Sequence, residues 1–220
     1  MKNHAVIIGN GDPPSASLFL DVMSTLPTLI CADGGLRTVL KYGIEPDVVI
    51  GDLDSVEISD LDRITNEKIF KVDADNTSTD LQKAIKHAIQ LDLEYATLLG
   101  FTGGRSDHLL WNLGLLRTFG DVINLRMLDD HGETRLVKGT TTFRAKMGQK
   151  VSLTPIDAPV DGIVTRGLRF PLRDESLELG VRDGISNEVV HNPVEITVRC
   201  GSLLVFVQRD SLQDAVEWVS

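Results

Sequence analysis

Short, continuous apolar runs alternate with amphipathic stretches over the first 128 residues, and this alternation constrains the fold more than any other feature. The runs hold apolar residues at successive positions rather than at every second one, which is typical of strands buried on both faces. They lie at residues 5–9, 28–32, 47–51, 68–72, 95–100 and 122–128. Between them, residues 78–91 and 106–118 have helical periodicity. We therefore predict an α/β fold here, a mostly parallel sheet with flanking helices.

The pattern changes after about residue 135. The later segments are short and rich in β-branched residues, and Gly, Pro, Asn and Asp separate them, which is typical of an antiparallel sandwich or barrel. A helical period returns only at residues 210–218. We predict an α/β domain over residues 1–135 and an all-β sandwich domain over residues 136–220, with the boundary inside residues 130–140.

Composition excludes several classes of protein. The chain has 220 residues, 22 basic against 32 acidic, and a net charge of −10, so neither nucleic acid nor an anionic membrane surface is an expected partner. No apolar stretch approaches the ~18 residues of a membrane span and no secretion signal is evident, which predicts a cytoplasmic location. Cys31 and Cys200 stand alone in apolar surroundings, and we predict that both are core thiols.

Acidic and glycine residues follow four of the predicted strands. These segments are Asp33-Gly34-Gly35, the GDLDS segment at 51–55, Asp73 with Asp75, and the GGRSDH segment at 103–108. Because the carboxyl ends of parallel strands meet at one edge of a sheet, we expect these residues to lie close together. The sequence therefore predicts a binding site at that edge.

Two of these segments have the chemistry of a metal and phosphate site. Residues two apart in an extended loop point the same way, so Asp52 and Asp54 would face one hard cation such as Mg²⁺, although an Asx turn is the alternative. In the GGRSDH segment, two glycines allow close backbone approach, Arg105 offers a planar fork for phosphate, and a helix N-terminus follows. Asp107 and His108 have a second interpretation, as a dipole partner and a surface group.

The remaining polar motifs are less specific. Asp80 stands at a predicted helix start, where a cap or a first-turn acid is the alternative to a metal ligand. Lys83 lies on roughly the same helical face and suits either phosphate or solvent. The GNGD segment at 9–12 is a single glycine turn, and the chain has neither a P-loop nor a dinucleotide-binding fingerprint.

Taken in series, four segments resemble those of the thiamine pyrophosphokinase family. They are ADGG at 32–35, GDLDS at 51–55, TDLQKA at 79–84 and GGRSDHLLWNL at 103–113. Residues 165–172 and 184–188 are similar to the family's "GLK-aromatic" and "SNE" segments, so the resemblance covers nearly the whole chain. It implies an α/β domain, a β-sandwich, a homodimer, and Mg²⁺-dependent transfer of a pyrophosphoryl group from ATP to thiamine, giving thiamine diphosphate and AMP.

The resemblance also implies roles for individual residues. Asp52, Asp54, Asp80 and Asp107 are the implied catalytic residues, of which the first three hold Mg²⁺, and Asp75 is a looser match to the metal ligands. Gly103, Gly104, Arg105 and Lys83 are the implied contacts of ATP. The implied thiamine contacts are Asp33, Asp107, His108, Phe170, Ser186 and Asn187. Asp107 would orient thiamine or accept its hydroxyl proton, and Phe170 replaces a more common Trp or Tyr, so it can stack but not donate a hydrogen bond.

Two other functions stay open at this point. One is a pyrophosphokinase for a related heterocyclic alcohol such as a hydroxymethylpterin, which would use the same carboxylates. The other is a non-catalytic regulator that binds thiamine or a nucleotide. Loss of the paired aspartates would indicate a regulator, and Asp52 and Asp54 are both present.

Overall fold

The computed structural model describes residues 3–72, 78–156 and 159–219. The chain divides into two compact units, Met1–Asp129 and Asp130–Ser220. This division falls at the start of the region 130–140 in which the sequence places the domain boundary. Asp73 and Asp75, which the sequence analysis places at the candidate site, lie outside the described residues.

The first unit is built on parallel strands. They are β1 (His4–Ile8), β2 (Thr28–Ala32), β3 (Val48–Gly51), β4 (Ile69–Lys71), β5 (Tyr95–Leu99) and β6 (Asn124–Asp129). Their order is β6-β5-β1-β2-β3-β4, and every neighbouring pair is parallel. The predicted α/β class is confirmed.

The described part of this unit contains five α-helices, α1 (Ala16–Met23), α2 (Gly35–Lys41), α3 (Ile58–Leu61), α4 (Asp80–Gln90) and α5 (Ser106–Phe119), with a 3₁₀ turn at Asn66–Lys68. α4 shows the predicted amphipathic pattern, because Leu81, Ala84, Ile85 and Ala88 are all buried. Within the described residues, no helix combines the length and the apolar character that a membrane crossing requires.

Continuous apolar strands form the centre of the first unit. β1, β2, β3 and β5 are buried at almost every position, as their sequences predict. β4 differs from the prediction, because it is the last strand in the order and Phe70 is 42% exposed. An edge strand has one neighbour instead of two, so its apolar run need not be buried on both faces.

The strand order reverses between β1 and β5. Along the chain the sheet grows from β1 outward to β4 and then returns to the other side of β1 with β5 and β6. Such a reversal opens a crevice outside the carboxyl ends of the two central strands, where parallel α/β sheets bind ligands. Gly35 lets α2 start close to β1, since a Cβ at this position would lie 2.1 Å from the Ile8 carbonyl oxygen.

The second unit is all-β. Its strands are β7 (Gly132–Arg144), β8 (Lys150–Pro155), β9 (Val160–Arg166), β10 (Arg173–Leu177), β11 (Gly184–Glu188), β12 (Val194–Gln208) and β13 (Glu217–Val219). β12 pairs with β7 along its length, with β9 beside one half and β8 beside the other. β10 extends β9, and β11 extends β8. All these pairs are antiparallel, and their inner faces share one apolar core.

Two predictions for this unit are wrong. Residues 210–218 do not form a helix: they contain a 3₁₀ turn (Leu212–Asp214) and the start of β13. Val216 and Trp218 pack against the core, and their spacing of two suits a strand. Cys200 is not a core thiol, because it is exposed beside the register shift of β12, whereas Cys31 is buried in β2 and burial raises its pKa.

Candidate active site

A cleft of about 460 Å³ opens at the crevice between the carboxyl ends of β1 and β5. The loops after β1, β2 and β5 and the first turns of α4 and α5 surround it. It is lined by Asn10, Gly11, Ala32, Asp33, Ser55, Thr79, Asp80, Leu81, Gly100, Phe101, Thr102, Gly103, Gly104, Arg105, His108 and Asn112. Three of the sequence-predicted segments therefore meet at one site, in the first unit.

Backbone hydrogen bonds join the loops that follow β1 and β5. The amide of Gly11 donates to the Gly100 carbonyl at 2.7 Å, and the amide of Asp12 donates to the Thr102 carbonyl at 2.9 Å. A Cβ on Gly11 would lie 2.5 Å from the Thr102 oxygen and 2.7 Å from the Gly100 oxygen. Gly11 is therefore required by the close approach of the two loops.

Three carboxylates meet on the acidic side of the cleft. Among the described residues, Asp33, Asp52 and Asp80 each bring a carboxylate oxygen within 4.8 Å of the other two. Asp33 is only 5% exposed, its Oδ1 is buried without a hydrogen-bond partner, and burial raises its pKa. A buried, unpartnered carboxylate oxygen among other carboxylates is a suitable ligand for a hard cation such as Mg²⁺. We call these residues the three-acid cluster.

The cluster differs from the predicted metal set in one member. Asp54 is exposed and stands outside it, with its Oδ1 accepting a hydrogen bond from the Ser55 hydroxyl at 3.0 Å. The Asp54 amide donates to Asp52 Oδ1 at 3.2 Å, so the loop contains the Asx turn that was the alternative interpretation. Asp33, implied as a thiamine contact, stands with the metal candidates instead.

Lys83 pairs with Asp80 one turn into α4. Its side chain is 6% exposed, and its Nζ lies 3.1 Å from Asp80 Oδ1. The cap of α4 is Thr79, whose hydroxyl accepts a hydrogen bond from the Gln82 amide at 3.3 Å. Since Thr79 supplies the cap, the Asp80 carboxylate is available to the three-acid cluster.

Arg105 and Asp107 form an exposed, bidentate ion pair at the mouth of the cleft. Nη2 of Arg105 lies 2.6 Å from Oδ2 of Asp107, and Nε lies 3.1 Å from Oδ1. The hydrogen bonds from Arg105 lower the pKa of Asp107 to about 2. His108 is also exposed and lines the cleft.

Sequence reasoning assigned no role to several residues of the cleft, among them Asn10, Gly11 and Asn112. Asn112 is 9% exposed, and its Nδ2 donates to the Phe101 carbonyl at 3.1 Å, which ties α5 to the loop after β5. An asparagine among the apolar residues of this helix was a usable signal. Asn10 and Gly11 could not be found in the same way. Their place at the cleft follows from the strand order, which brings the loop after β1 beside the loop after β5.

The aromatic segment of the second unit presents its side chain to solvent. Phe170 is 66% exposed, so it does not belong to the core. Asn187 is 7% exposed, and its carboxamide accepts from the Phe170 amide at 3.0 Å and donates to the Phe170 carbonyl at 2.7 Å. Ser186 is exposed and has a positive φ of 58°, with its amide bound to the Ser152 hydroxyl at 3.0 Å. Asn187 therefore fixes the backbone that presents Phe170.

Carboxylates beside glycine-rich loops, at the point where the order of a parallel sheet reverses, define a class of enzymes that transfer phosphoryl groups. Residues 19–127 match the family described as "Thiamin pyrophosphokinase, catalytic domain", and residues 140–203 match "Thiamin pyrophosphokinase, vitamin B1 binding domain". The chain belongs to the thiamin pyrophosphokinase family and is an enzyme of that family.

Individual relatives agree with this assignment. The thiamine pyrophosphokinase of Bacillus subtilis (strain 168) is 27% identical over 186 residues, which cover 82% of this chain and 87% of that protein. Thiamine pyrophosphokinase 1 of Oryza sativa subsp. japonica is 28% identical, with 76% of this chain and 74% of that protein covered. The crystal structure of the Bacillus subtilis enzyme has a TM-score of 0.83 at 24% identity and covers 94% of this chain and 100% of its own.

Proposed function

We propose that the enzyme transfers the terminal pyrophosphoryl group of ATP to thiamine, giving thiamine diphosphate and AMP, with Mg²⁺ as the metal. The thiamine hydroxyl oxygen forms a bond to the β-phosphorus, the bond from that phosphorus to the oxygen of AMP breaks, and the hydroxyl proton leaves. The observation that carries the proposal is the three-acid cluster beside the glycine-rich loop in one cleft.

The carboxylates suited to hold Mg²⁺ are those of Asp33, Asp52 and Asp80. Asp54, on the same loop as Asp52, is a further carboxylate close by in sequence. When bound, the ion neutralises charge on the polyphosphate and orients it for in-line transfer. The unpartnered Oδ1 of Asp33 supports this assignment, since a buried carboxylate oxygen without a donor needs a cation.

In this proposal, the polyphosphate contacts the glycine-rich loop ahead of α5, which lines the same cleft as Asp33 and Asp80. Gly103 and Gly104 have positive φ values of 73° and 61°, which turn the backbone of the loop ahead of α5. Arg105 uses two of its five N–H groups on Asp107 and keeps three for phosphate oxygens. The N-terminus of α5 adds a favourable field for anions.

In this proposal, thiamine binds at the exposed aromatic segment of the second unit. Phe170 can stack on a cationic ring, and Ser186 and Asn187 lie on the adjacent strand β11. Asp107 and His108, which are exposed residues of the first unit, are further thiamine contacts that the family resemblance implies. We also propose a homodimer, as the family resemblance implies, and a cytoplasmic location.

Incubation of the enzyme with ATP, MgCl₂ and thiamine, followed by chromatography of the nucleotides, tests the proposal. AMP should accumulate in step with thiamine diphosphate, and both should stop when EDTA removes the metal. ADP as the stoichiometric product would contradict a pyrophosphoryl transfer. A parallel reaction with hydroxymethylpterin separates the alternative acceptor, and absence of turnover with either acceptor would favour a regulator.

A further inference from the structure

Lys83 is a nearly buried ammonium group in the first turns of α4. Its side chain is 6% exposed, and the neighbouring positions Leu81, Ala84 and Ile85 are buried apolar residues. Its ion-pair partner is Asp80, 3.1 Å away. Burial of an ammonium group costs free energy unless a counter-charge lies beside it. The contact between Lys83 and Asp80 therefore differs from an ordinary surface ion pair.

The three-acid cluster brings several negative charges close together. Its carboxylates approach within 4.8 Å of one another, a distance at which like charges repel strongly in a partly buried site. Among the residues that the structure describes, Lys83 is the cationic side chain in an ion pair with this cluster. One lysine therefore offsets part of the negative charge of three aspartates.

We propose that Lys83 is the resident counter-charge of the three-acid cluster and positions Asp80 for the metal. It keeps the carboxylates assembled while no divalent ion is bound, so that the metal meets a preformed site. Lys83 acts here through Asp80 and is a positioning residue. The inference rests on the proposed metal function only for its second test, because the first is made without metal.

The proposal differs from the sequence-based expectation that Lys83 binds the phosphates of ATP. A phosphate contact predicts that Lys83→Met raises the KM for ATP and leaves the metal-free protein equally stable. If Lys83 is a counter-charge, Lys83→Met lowers the stability of the protein even without substrate. The size of this loss of stability then depends on the charge of Asp80.

The first test is a double-mutant cycle by thermal unfolding in EDTA at pH 7.5, with Lys83→Met, Asp80→Asn and the double variant. In the parent, Asp80→Asn leaves the buried ammonium unpaired, and we expect Tm to fall by roughly 3–8 °C. In the Lys83→Met background the same change removes one of three repelling carboxylates, and we expect Tm to rise. This reversal of sign is the signature of a counter-charge.

Lys86→Met is the matched control, because Lys86 is an exposed lysine on the same helix. In that background Asp80→Asn should lower Tm as it does in the parent. If Lys83→Met does not fold, recovery of folding in the double variant is the expected result. If Asp80→Asn lowers Tm equally in the parent and Lys83→Met backgrounds, or the double variant does not fold either, Lys83 serves only packing and the proposal is overturned.

The second test adds MgCl₂ to the same proteins. The ion should raise the Tm of Lys83→Met by more than it raises the Tm of the parent, since the variant lacks the resident cation. An equal rise in both proteins would contradict the proposal. If Mg²⁺ changes the Tm of neither protein, the metal assignment fails, while the reversal of sign in EDTA still decides the role of Lys83.

Discussion

Asp33 combines several features that reduce the stability of a fold. It has a positive φ of 46°, its carboxylate is buried, and its Oδ1 has no hydrogen-bond partner. Its amide donates to the Ile50 carbonyl at 2.9 Å, which holds the residue in place between β2 and β3. A strained residue with a buried carboxylate oxygen that has no hydrogen-bond partner is expected where a ligand supplies the missing interaction.

Asp33→Asn should stabilise the metal-free protein at neutral pH. Burial raises the pKa of Asp33, so the folded state binds its proton more tightly than the unfolded state, and stability falls as pH rises through the raised pKa. Asparagine keeps the shape and removes the charge. In EDTA we expect a higher Tm than the parent at pH 7.5 and a difference that vanishes toward the ordinary aspartate pKa of 3.8. A lower Tm at pH 7.5 would contradict this account of Asp33.

Phe170→Ala should impair thiamine binding and leave stability almost unchanged. The side chain is 66% exposed, so its removal creates no cavity, and the change in Tm should stay within about 2 °C. Loss of an aromatic stacked on a cationic ring should raise the KM for thiamine roughly tenfold and the KM for ATP much less. Equal changes in both KM values would place Phe170 outside the thiamine site.

At the scale of elements, the cleft depends on two loops that meet only because of the strand order. The loop after β1 has hydrogen bonds to the loop after β5, although about 90 residues separate them in sequence. Periodicity predicts strands but not which strands are neighbours. The GNGD segment is therefore weak evidence in the sequence, yet its Asn10 and Gly11 line the same cleft as Gly103, Gly104 and Arg105 of the GGRSDH segment.

Gly11→Ala should weaken nucleotide binding by a factor of roughly ten or more. The added Cβ would lie 2.5 Å from the Thr102 carbonyl oxygen, so the two loops must separate and Gly103 to Arg105 must shift with them. The matched control is Gly114→Ala in α5, where a Cβ would meet nothing within 4 Å and where alanine favours the helix. Calorimetric titration with an ATP analogue measures both. Unchanged affinity in Gly11→Ala would show that loop contact is not needed for nucleotide binding.

The sequence could not predict which individual side chains lie together. A shared motif pairs Asp52 with Asp54, but the Asp54 amide donates to Asp52 Oδ1, and the carboxylate that lies with those of Asp52 and Asp80 is that of Asp33. Asp33 and Leu53 both have a positive φ, of 46° and 66°, which no periodicity reports. The helix expected over residues 210–218 failed for a different reason, because Trp218 finds its partners, Phe143 and Glu133, on distant parts of β7.

At the scale of the whole molecule, apolar side chains are exposed close together in the sequence of the second unit. Phe170, Leu179, Val181, Ile185 and Val190 are between 49% and 75% exposed, within a chain whose net charge of −10 otherwise favours solvation. A contiguous apolar surface is typical of a region that another molecule covers, so we propose this segment for such a contact. In the proposed homodimer, a second copy of the chain covers these side chains, so no other partner is needed.

Val181→Glu should shift the protein toward monomers. Val181 is 75% exposed in the turn between β10 and β11, so the substitution costs the isolated chain little, whereas a charge in an apolar interface raises the dissociation constant, by roughly tenfold or more. Sedimentation velocity at micromolar concentration should give twice the 24.1 kDa of one chain for the parent and a mass near 24.1 kDa for the variant. Val122→Glu is the control, since Val122 is 64% exposed in the first unit, outside this segment. A Val181→Glu protein that remains dimeric would exclude this segment from the interface, and a monomeric parent would contradict the proposed homodimer.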